Sequence, residues 1–267
     1  YSPFPREFEG SDVLYFCEFD LHFMRSQRSL TRHLSRPDLL PHPPGIEVYR
    51  ADGLSVFEVD GAHAPRFCQN LCLLAKLFLD HKALYWGVEP FLFYVLCECD
   101  EAGCHPVGYF SKEKASPDDY NLACILTLPP FQRKGYGRFL ISLSYELSRR
   151  DGKMGTPERP LSDLGLVSYR SFWAAGILSR LQATAHSGRR TISILNISRN
   201  TGFRTDDIVN TLQALGLVKY FKGEHLIVVS PKVLREVELA EEAQELKLSF
   251  DPTKLQYKPL ASRKSWR

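Results

Sequence analysis

An α+β architecture is expected from the order in which hydrophobic patterns change along the chain. Paired strand-like runs fill the stretch from Ile46 to Glu113, and a strand, a glycine loop and a helix follow one another between Asn121 and Asp151. From Ile194 to Ser230 the pattern turns to two short helices and a strand pair. At 267 residues the chain is long enough for one large domain and one small one.

Composition narrows the class. With 44% hydrophobic, 24% charged and 12% aromatic residues, the bulk reads as globular rather than disordered or fibrous. The 34 Lys and Arg against 31 Asp and Glu leave +3, so any polyanion site must be local. The 7 cysteines, an odd number scattered through apolar segments, suit a reducing compartment, and free thiols are expected. No apolar run reaches the length of a membrane span, and no membrane partner is expected. The start, Tyr1-Ser2-Pro3-Phe4-Pro5, lacks an initiator Met and the charged and apolar parts of a signal peptide, so the chain is expected to be a piece of a longer protein.

Each element follows from a local pattern. EVYR, Ala51-Asp52-Gly53 and LSVFEVD, between Ile46 and Asp60, make a small hairpin. Leu71, Leu74, Ala75, Phe78 and Leu79 share one stripe of a helix that should run to about Asp80, with Lys76 off its centre. FLFYVLCEC from Phe91, a turn at Glu101-Ala102-Gly103, and HPVGYFSKE give a second, more deeply buried hairpin. NLACILTL, from Asn121 to Leu128, must stop as a strand at Pro129-Pro130, because proline cannot donate to a sheet ladder.

Beyond the Gly135-Tyr136-Gly137 turn, Phe139, Leu140, Leu143 and Leu147 mark a helix that Asp151-Gly152 breaks. Pro157, Pro160 and Gly165 punctuate a polar loop before a helix from Tyr169 to Leu181 containing Phe172, Trp173 and Ile177. His186 to Arg190 is a polar break and the expected boundary of a smaller unit. There, helices at Ile194–Ser198 and Ile208–Leu215 flank Gly202, and VKYFKGEHLIVVS turns at Lys222-Gly223, a helix-turn-helix with a wing. The tail from Glu236 begins acidic and ends with Lys, Arg and Trp266, and is expected as helix then coil.

Chemistry concentrates in the loop after the proline pair. Gln132-Arg133-Lys134-Gly135-Tyr136-Gly137-Arg138 sets two glycines and three cations directly before a helix whose first N–H groups carry partial positive charge, which favours a phosphate. A P-loop would end in Gly-Lys-Ser or Gly-Lys-Thr, which is missing, and the dinucleotide fingerprint would have glycine where Leu140 stands, so a nicotinamide or flavin reading loses its main support. The same residues also read as a plain glycine loop with solvated charges, and the motif alone leaves both open. Cys124 on a buried strand and Glu158 in a proline-framed loop are residues a cleft brings together in many enzymes. By residue chemistry alone the leading readings are a plain core cysteine and an ordinary surface pair of Glu158 with Arg159.

Four long collinear blocks go further: CQNLCLLAKLFLDH, NLACILTLPP, QRKGYGR and GTPERPLSDLGLVSYRSFW. Together they resemble the MYST family of lysine acetyltransferases, over nearly the whole chain from Tyr1 to about Pro231. The resemblance implies a central sheet of the GNAT-like acetyltransferase fold, with acetyl-CoA in a cleft where strands splay. It assigns the acetyl and pantetheine portion to the backbone of Ile125, Leu126 and Thr127, and the pyrophosphate to Gln132, Arg133, Lys134, Gly135, Tyr136, Gly137 and Arg138. Ser162 and Ser171 match further cofactor contacts, Glu158 the general base, Cys124 the active-site cysteine, and Lys76 the lysine acetylated in active members.

The implied chemistry is consistent. A lysine ammonium with a pKa near 10.4 becomes a nucleophile only when a positioned base takes its proton. The oxyanion that develops on the thioester needs a donor such as the Cys124 backbone N–H. Cys124 also allows an acyl-enzyme route, and sequence does not choose between that and direct transfer.

One departure from the family stands out. Its zinc finger has the spacing Cys-x-x-Cys, twelve residues, His, three residues, Cys, a closed tetrahedral site. Cys17 and His33 keep their places, but the second position holds Asp20 and the fourth holds Pro37. Remnant ligands are therefore Cys17, Asp20 and His33, with Asp38 or His42 as nearby substitutes. Weak or absent zinc is expected, with Leu14, Tyr15, Phe16, Phe19, Phe23 and Leu30 holding the module by packing.

The expected division is a degenerate zinc-finger-like module at 1–45, an acetyl-CoA-binding core at 46–185, a winged helix-turn-helix-like unit at 186–235 and a tail at 236–267. The resemblance implies a nuclear enzyme acting on histone tails and nucleosomes within a chromatin-modifying complex, with weak nucleic-acid backbone contact through Arg204, Lys219 or Lys222. Asp118, Asp119 and Asp163 are the acids expected to line a rim for cationic tails. Two rival readings are an acetyl-CoA-binding scaffold without catalysis and a winged-helix DNA-binding protein. Against the second stand Asp206 and Asp207, acids at the start of the helix that would meet phosphates.

Overall fold

The computed structural model describes residues 3–79, 87–188, 191–221, 224–230, 235 and 248–259. It is a mixed α/β structure in two compact units. The first takes the chain to Ser116, Leu122–Gln132 and Asp251–Tyr257, and the second takes Pro117–Asn121 and the residues from Arg133 to Phe250.

In the first unit, strands β1 (Tyr15–Phe16) and β2 (Phe23–Met24) pair antiparallel. Helix α1 (Gln27–Leu34) starts at Ser26, whose hydroxyl accepts from the Ser29 N–H at 3.2 Å. Phe4 meets Phe16 and Phe23 edge-on at 5.7 and 4.9 Å, so the expected aromatic packing extends to the very start of the described chain.

The central sheet holds β3 (Ile46–Ala51), β4 (Leu54–Asp60), β5 (Phe91–Cys99), β6 (Cys104–Glu113) and β7 (Cys124–Thr127) in that order, every neighbour antiparallel. Both faces of β5 are buried, which is why FLFYVLCEC is almost continuously apolar. Helix α2 (Pro65–Lys76) lays Phe67, Cys68, Leu71 and Cys72 against Phe57, Val59, Phe93, Val95 and Leu126.

That helix is shorter than expected. The N–H groups of Leu77 and Phe78 turn back to the Leu74 and Ala75 carbonyls, which tightens the last turn and swings Phe78 out to 44% exposure. Asp80 lies outside the described residues.

Free thiols were expected throughout, but Cys99 and Cys104 form a disulfide. The register of the second hairpin sets them directly opposite, with Cα atoms 4.2 Å apart, a geometry that cysteine counting does not reveal. Cys17, Cys68, Cys72, Cys97 and Cys124 are not disulfide-bonded.

Within the part of the tail expected as coil, residues 248–259 take local structure. A 3₁₀ turn at Pro252–Lys254 is capped by Asp251, Leu255 bridges Tyr49, and the Gln256 N–H donates to the Val48 carbonyl at 2.7 Å, covering the free edge of β3. The acidic stretch from Glu236 and Trp266 lie outside the described residues.

In the second unit, α3 (Tyr136–Arg150) and α4 (Asp163–His186) carry most of the core. Helix α4 begins a turn and a half before the expected Tyr169, because the Ser162 hydroxyl accepts from the Gly165 N–H at 3.2 Å and draws Gly165 into the first turn. It also runs on to His186, so the polar break opens only at Ser187. Tyr145 stacks on Phe172 at 5.4 Å and meets Phe203 edge-on at 4.9 Å. Gly176 leaves room for that ring, since a Cβ there would lie 2.9 Å from Phe203.

Helices α5 (Ile194–Thr201) and α6 (Thr205–Ala214) meet across Gly202, whose φ of 77° closes α5. Strands β8 (Val218–Phe221) and β9 (Glu224–Ile227) pair antiparallel, and the turn expected at Lys222-Gly223 lies outside the described residues.

Candidate functional site

Among the described residues, strand β7 is the edge of the central sheet and pairs with β6. Pro129 and Pro130 end it as expected and open a 3₁₀ turn to Phe131. Leu126 points into the core, while Cys124, Ile125 and Thr127 are half-buried. Gln132 folds back, its Nε2 donating to the Thr127 carbonyl at 3.1 Å. The Cys124 N–H, expected as an oxyanion donor, is given to the Ser111 hydroxyl at 3.3 Å. Ser111 escaped sequence reasoning, because only the register of β6 on β7 sets it opposite Cys124.

In the second unit, Gly135 is the residue before α3 and has φ of 102°. Among the described residues no side chain caps this helix start, and a helix N-terminus favours a negatively charged group. Arg133 also adopts a left-handed φ, 63°, which a non-glycine residue takes only at a cost. Arg133 and Lys134 are exposed, whereas the half-buried Arg138 guanidinium lies 5.4 Å over the Phe172 ring and burial lowers its pKa. Phe172 is the neighbour of Ser171, so the start of α3 and this turn of α4 adjoin. Ser171 is exposed; Ser162 is exposed too, and its hydroxyl serves as the α4 cap.

Glu158 is exposed on a loop held from both sides. Upstream, the Gly155 N–H donates to the Gly202 carbonyl at 2.7 Å, and the Asn121 N–H donates to the Thr156 carbonyl at 3.0 Å. Downstream, Arg159 Nη2 donates to Asp207 Oδ1 at 2.5 Å, ahead of a cis Arg159–Pro160 bond. Asp207 was expected at the surface as an acid hostile to phosphates. It is buried instead, where burial raises its pKa against Thr156 and Arg159, and only Asp206 of the pair is exposed.

The remaining expected residues find local partners. Lys76 is half-buried at the last turn of α2. Asp119 pairs with Lys153 at 2.5 Å, and Asp163 sits in the first turn of α4, where a carboxylate complements the helix dipole. Arg204 donates to the Asp118 carbonyl and lies 6.0 Å over the Tyr120 ring.

In the N-terminal module the ligand atoms of Cys17, Asp20 and His33 lie within 4.8 Å of one another. They already bond among themselves: His33 Nε2 is 2.8 Å from Asp20 Oδ2, and the Cys17 thiol hydrogen-bonds the same carboxylate. Burial pushes the Cys17 thiol up to about 11, which keeps the proton on sulfur. Burial also works to raise Asp20, but the His22 N–H, Cys17 and His33 outweigh it and hold the acid below its usual value. Asp38 is engaged by Arg36, and His42 Nδ1 lies 2.7 Å from the Pro43 carbonyl, so neither expected substitute joins the cluster. A closed structural zinc needs four ligands. Among the described residues the cluster supplies three donors, and this set does not fit it.

Comparison with known proteins adds two family matches: the MOZ/SAS family over residues 42–255 and the MYST family zinc finger domain over residues 1–36. Histone acetyltransferase of the MYST family 1 from Arabidopsis thaliana is 59% identical over 234 residues, 88% of this chain and 52% of that protein. The histone acetyltransferase Tip60 homolog of Caenorhabditis elegans is 50% identical over 261 residues, 97% of this chain and 57% of the relative. Histone acetyltransferase esa1 of Emericella nidulans is 49% identical over 271 aligned positions, all of this chain and 53% of the relative. The chain thus spans about half the length of the curated relatives it matches.

Proposed function

Because this chain belongs to the MOZ/SAS family, we propose that it is the catalytic part of a histone lysine acetyltransferase, moving acetyl from acetyl-CoA to a lysine side-chain amine. The observation that carries this reading is the uncapped start of α3 behind Gly135, with Arg133, Lys134 and Arg138 supplying positive charge. A diphosphate fits that chemistry, because a helix N-terminus and neighbouring cations both favour negative charge. Acetyl-CoA supplies the activated thioester. Gln132 through Arg138 hold its pyrophosphate, Ile125, Leu126 and Thr127 its acetyl and pantetheine portion, and Ser162 and Ser171 give further polar contacts.

Glu158, exposed on its loop, removes the proton that keeps the lysine amine from attacking. Cys124 either lines the reacting centre or takes the acetyl group before the lysine does. With its N–H engaged by Ser111, oxyanion stabilisation by that N–H requires the Ser111 hydroxyl to yield. Lys76 is the proposed site of acetylation on the chain itself.

The sheet is read as GNAT-like and α5, α6, β8 and β9 as a winged helix-turn-helix that docks on nucleosomes. Lys219 remains available for backbone contact, while Arg204 is held within its own unit. The boundaries at 45, 185 and 235, nuclear location and membership of a chromatin-modifying complex belong to the same proposal.

Radiolabelled acetyl transfer to core histones tests it. The native chain should label histones, and Glu158→Gln should lower the rate by about 10²- to 10⁴-fold with acetyl-CoA still bound. If both are equally silent while CoA binds, the chain is a scaffold. Near-normal turnover by Cys124→Ala would exclude an obligatory acyl-cysteine.

A further inference from the structure

Arg159 directly follows Glu158, and two elements of the second unit hold it. Its Nη2 reaches Asp207 Oδ1 on α6 at 2.5 Å, and its guanidinium lies 5.8 Å over the Trp173 ring on α4. Just upstream, Gly155 forms a parallel bridge with Phe203, in the connection between α5 and α6. The exposed Glu158 therefore sits between a backbone bridge and an ion pair whose acid is only 3% exposed.

Exposed ion pairs are worth little, and a buried carboxylate costs desolvation that an apolar residue would not. Such an acid is better explained by the orientation it imposes than by stability. General base catalysis needs that orientation, because displacing a reacting group by about 1 Å costs on the order of 10²-fold in rate.

We propose that Asp207 and Arg159 are positioning residues for Glu158: the α5–α6 segment clamps the peptide that carries the base, so the helical unit takes part in catalysis without touching substrate. This rests on reading Glu158 as the general base.

Steady-state acetyl transfer to a histone-tail peptide tests it, with the thermal midpoint of each variant measured alongside. Asp207→Asn keeps the shape and removes the charge, Arg159→Met removes the clamp, and Arg159→Lys restores a cation. The first two should lower kcat about 10-fold or more with the KM for acetyl-CoA changed less than about 2-fold, and Arg159→Lys should recover part of the loss.

The deciding arm is the Glu158→Gln background, where neither substitution should lower the residual rate further, since the group it positions is gone. An equal fold-loss there means a merely structural role and overturns the proposal, as does an unchanged kcat in the Glu158 chain. Where Arg159→Met leaves the buried acid uncompensated and does not fold, Asp207→Asn supplies the same comparison. A fully active Glu158→Gln overturns the reading of Glu158 and the positioning role together. An inactive Glu158→Gln beside unaffected Asp207→Asn and Arg159→Met overturns the positioning role alone.

Discussion

Replacing Tyr145 with Phe removes one oxygen and leaves every ring contact in place. That oxygen accepts from the Trp173 Nε1–H at 2.7 Å, and both residues are only 4% exposed. Burial raises the Tyr145 pKa far above the phenol's ordinary value, so the group remains a hydroxyl across the working range. The Phe ring should still stack on Phe172 and meet Phe203, so little apolar packing is lost. What remains is a buried indole N–H without an acceptor, which costs about 1–3 kcal/mol. Each kcal/mol should lower the thermal midpoint by about 2–4 °C in a chain of this size.

The assay is urea unfolding followed by circular dichroism, with an unchanged denaturant slope showing that the unfolding transition is the same one. The control is the same change made beside Trp173→Phe. With the donor gone there is no orphan, so Tyr145→Phe should cost about 1 kcal/mol less there than in the native background. Additivity of the two changes to within about 0.5 kcal/mol would refute the reasoning, because the hydrogen bond would then not be what holds α3 to α4.

Two further outcomes are expected. Burial works to raise the Glu146 carboxyl, but Arg149 and Arg150, both at 2.8 Å, outweigh it and hold the acid below its ordinary value. A depressed carboxylate stabilises the fold above its unfolded value, near 4.3, and that contribution is lost as pH falls through the folded value. Thermal midpoints should thus fall less steeply on acidification for Glu146→Gln than for the native chain, and parallel acid limbs would refute the assignment. The incomplete Cys17, Asp20 and His33 set predicts substoichiometric zinc in purified protein and no change of midpoint on adding a chelator. One zinc retained through gel filtration and released only on unfolding would overturn that.

Much of the sheet was readable in advance because strand signals are local. Alternating and continuous apolar runs, the Gly53 and Gly103 turns and the proline pair each mark an end or a face without reference to distant residues. Gly135 before α3 was legible for the same reason, while Cys17, Asp20 and His33 were found through the family's zinc-finger spacing.

Long-range pairing was not readable. Asp207 looked like a surface acid because its partner Arg159 lies 48 positions away, and only the packing of α6 joins them. Ser111 meets Cys124, and Cys99 meets Cys104, through strand register, which a single sequence states only weakly. Pro160 and Gly165 disguised the start of α4, where one serine hydroxyl decided the matter.

The return of Leu255 to Tyr49 has a bearing on how the polypeptide is made. The first unit contains residues from near the beginning of the chain and from beyond position 250, so the second unit is spliced into it. On the ribosome, β3 emerges some two hundred residues before Leu255, the residue that bridges it. A nascent chain stalled short of Leu255 would hold an unfinished sheet edge, open to the next exposed strand it encounters.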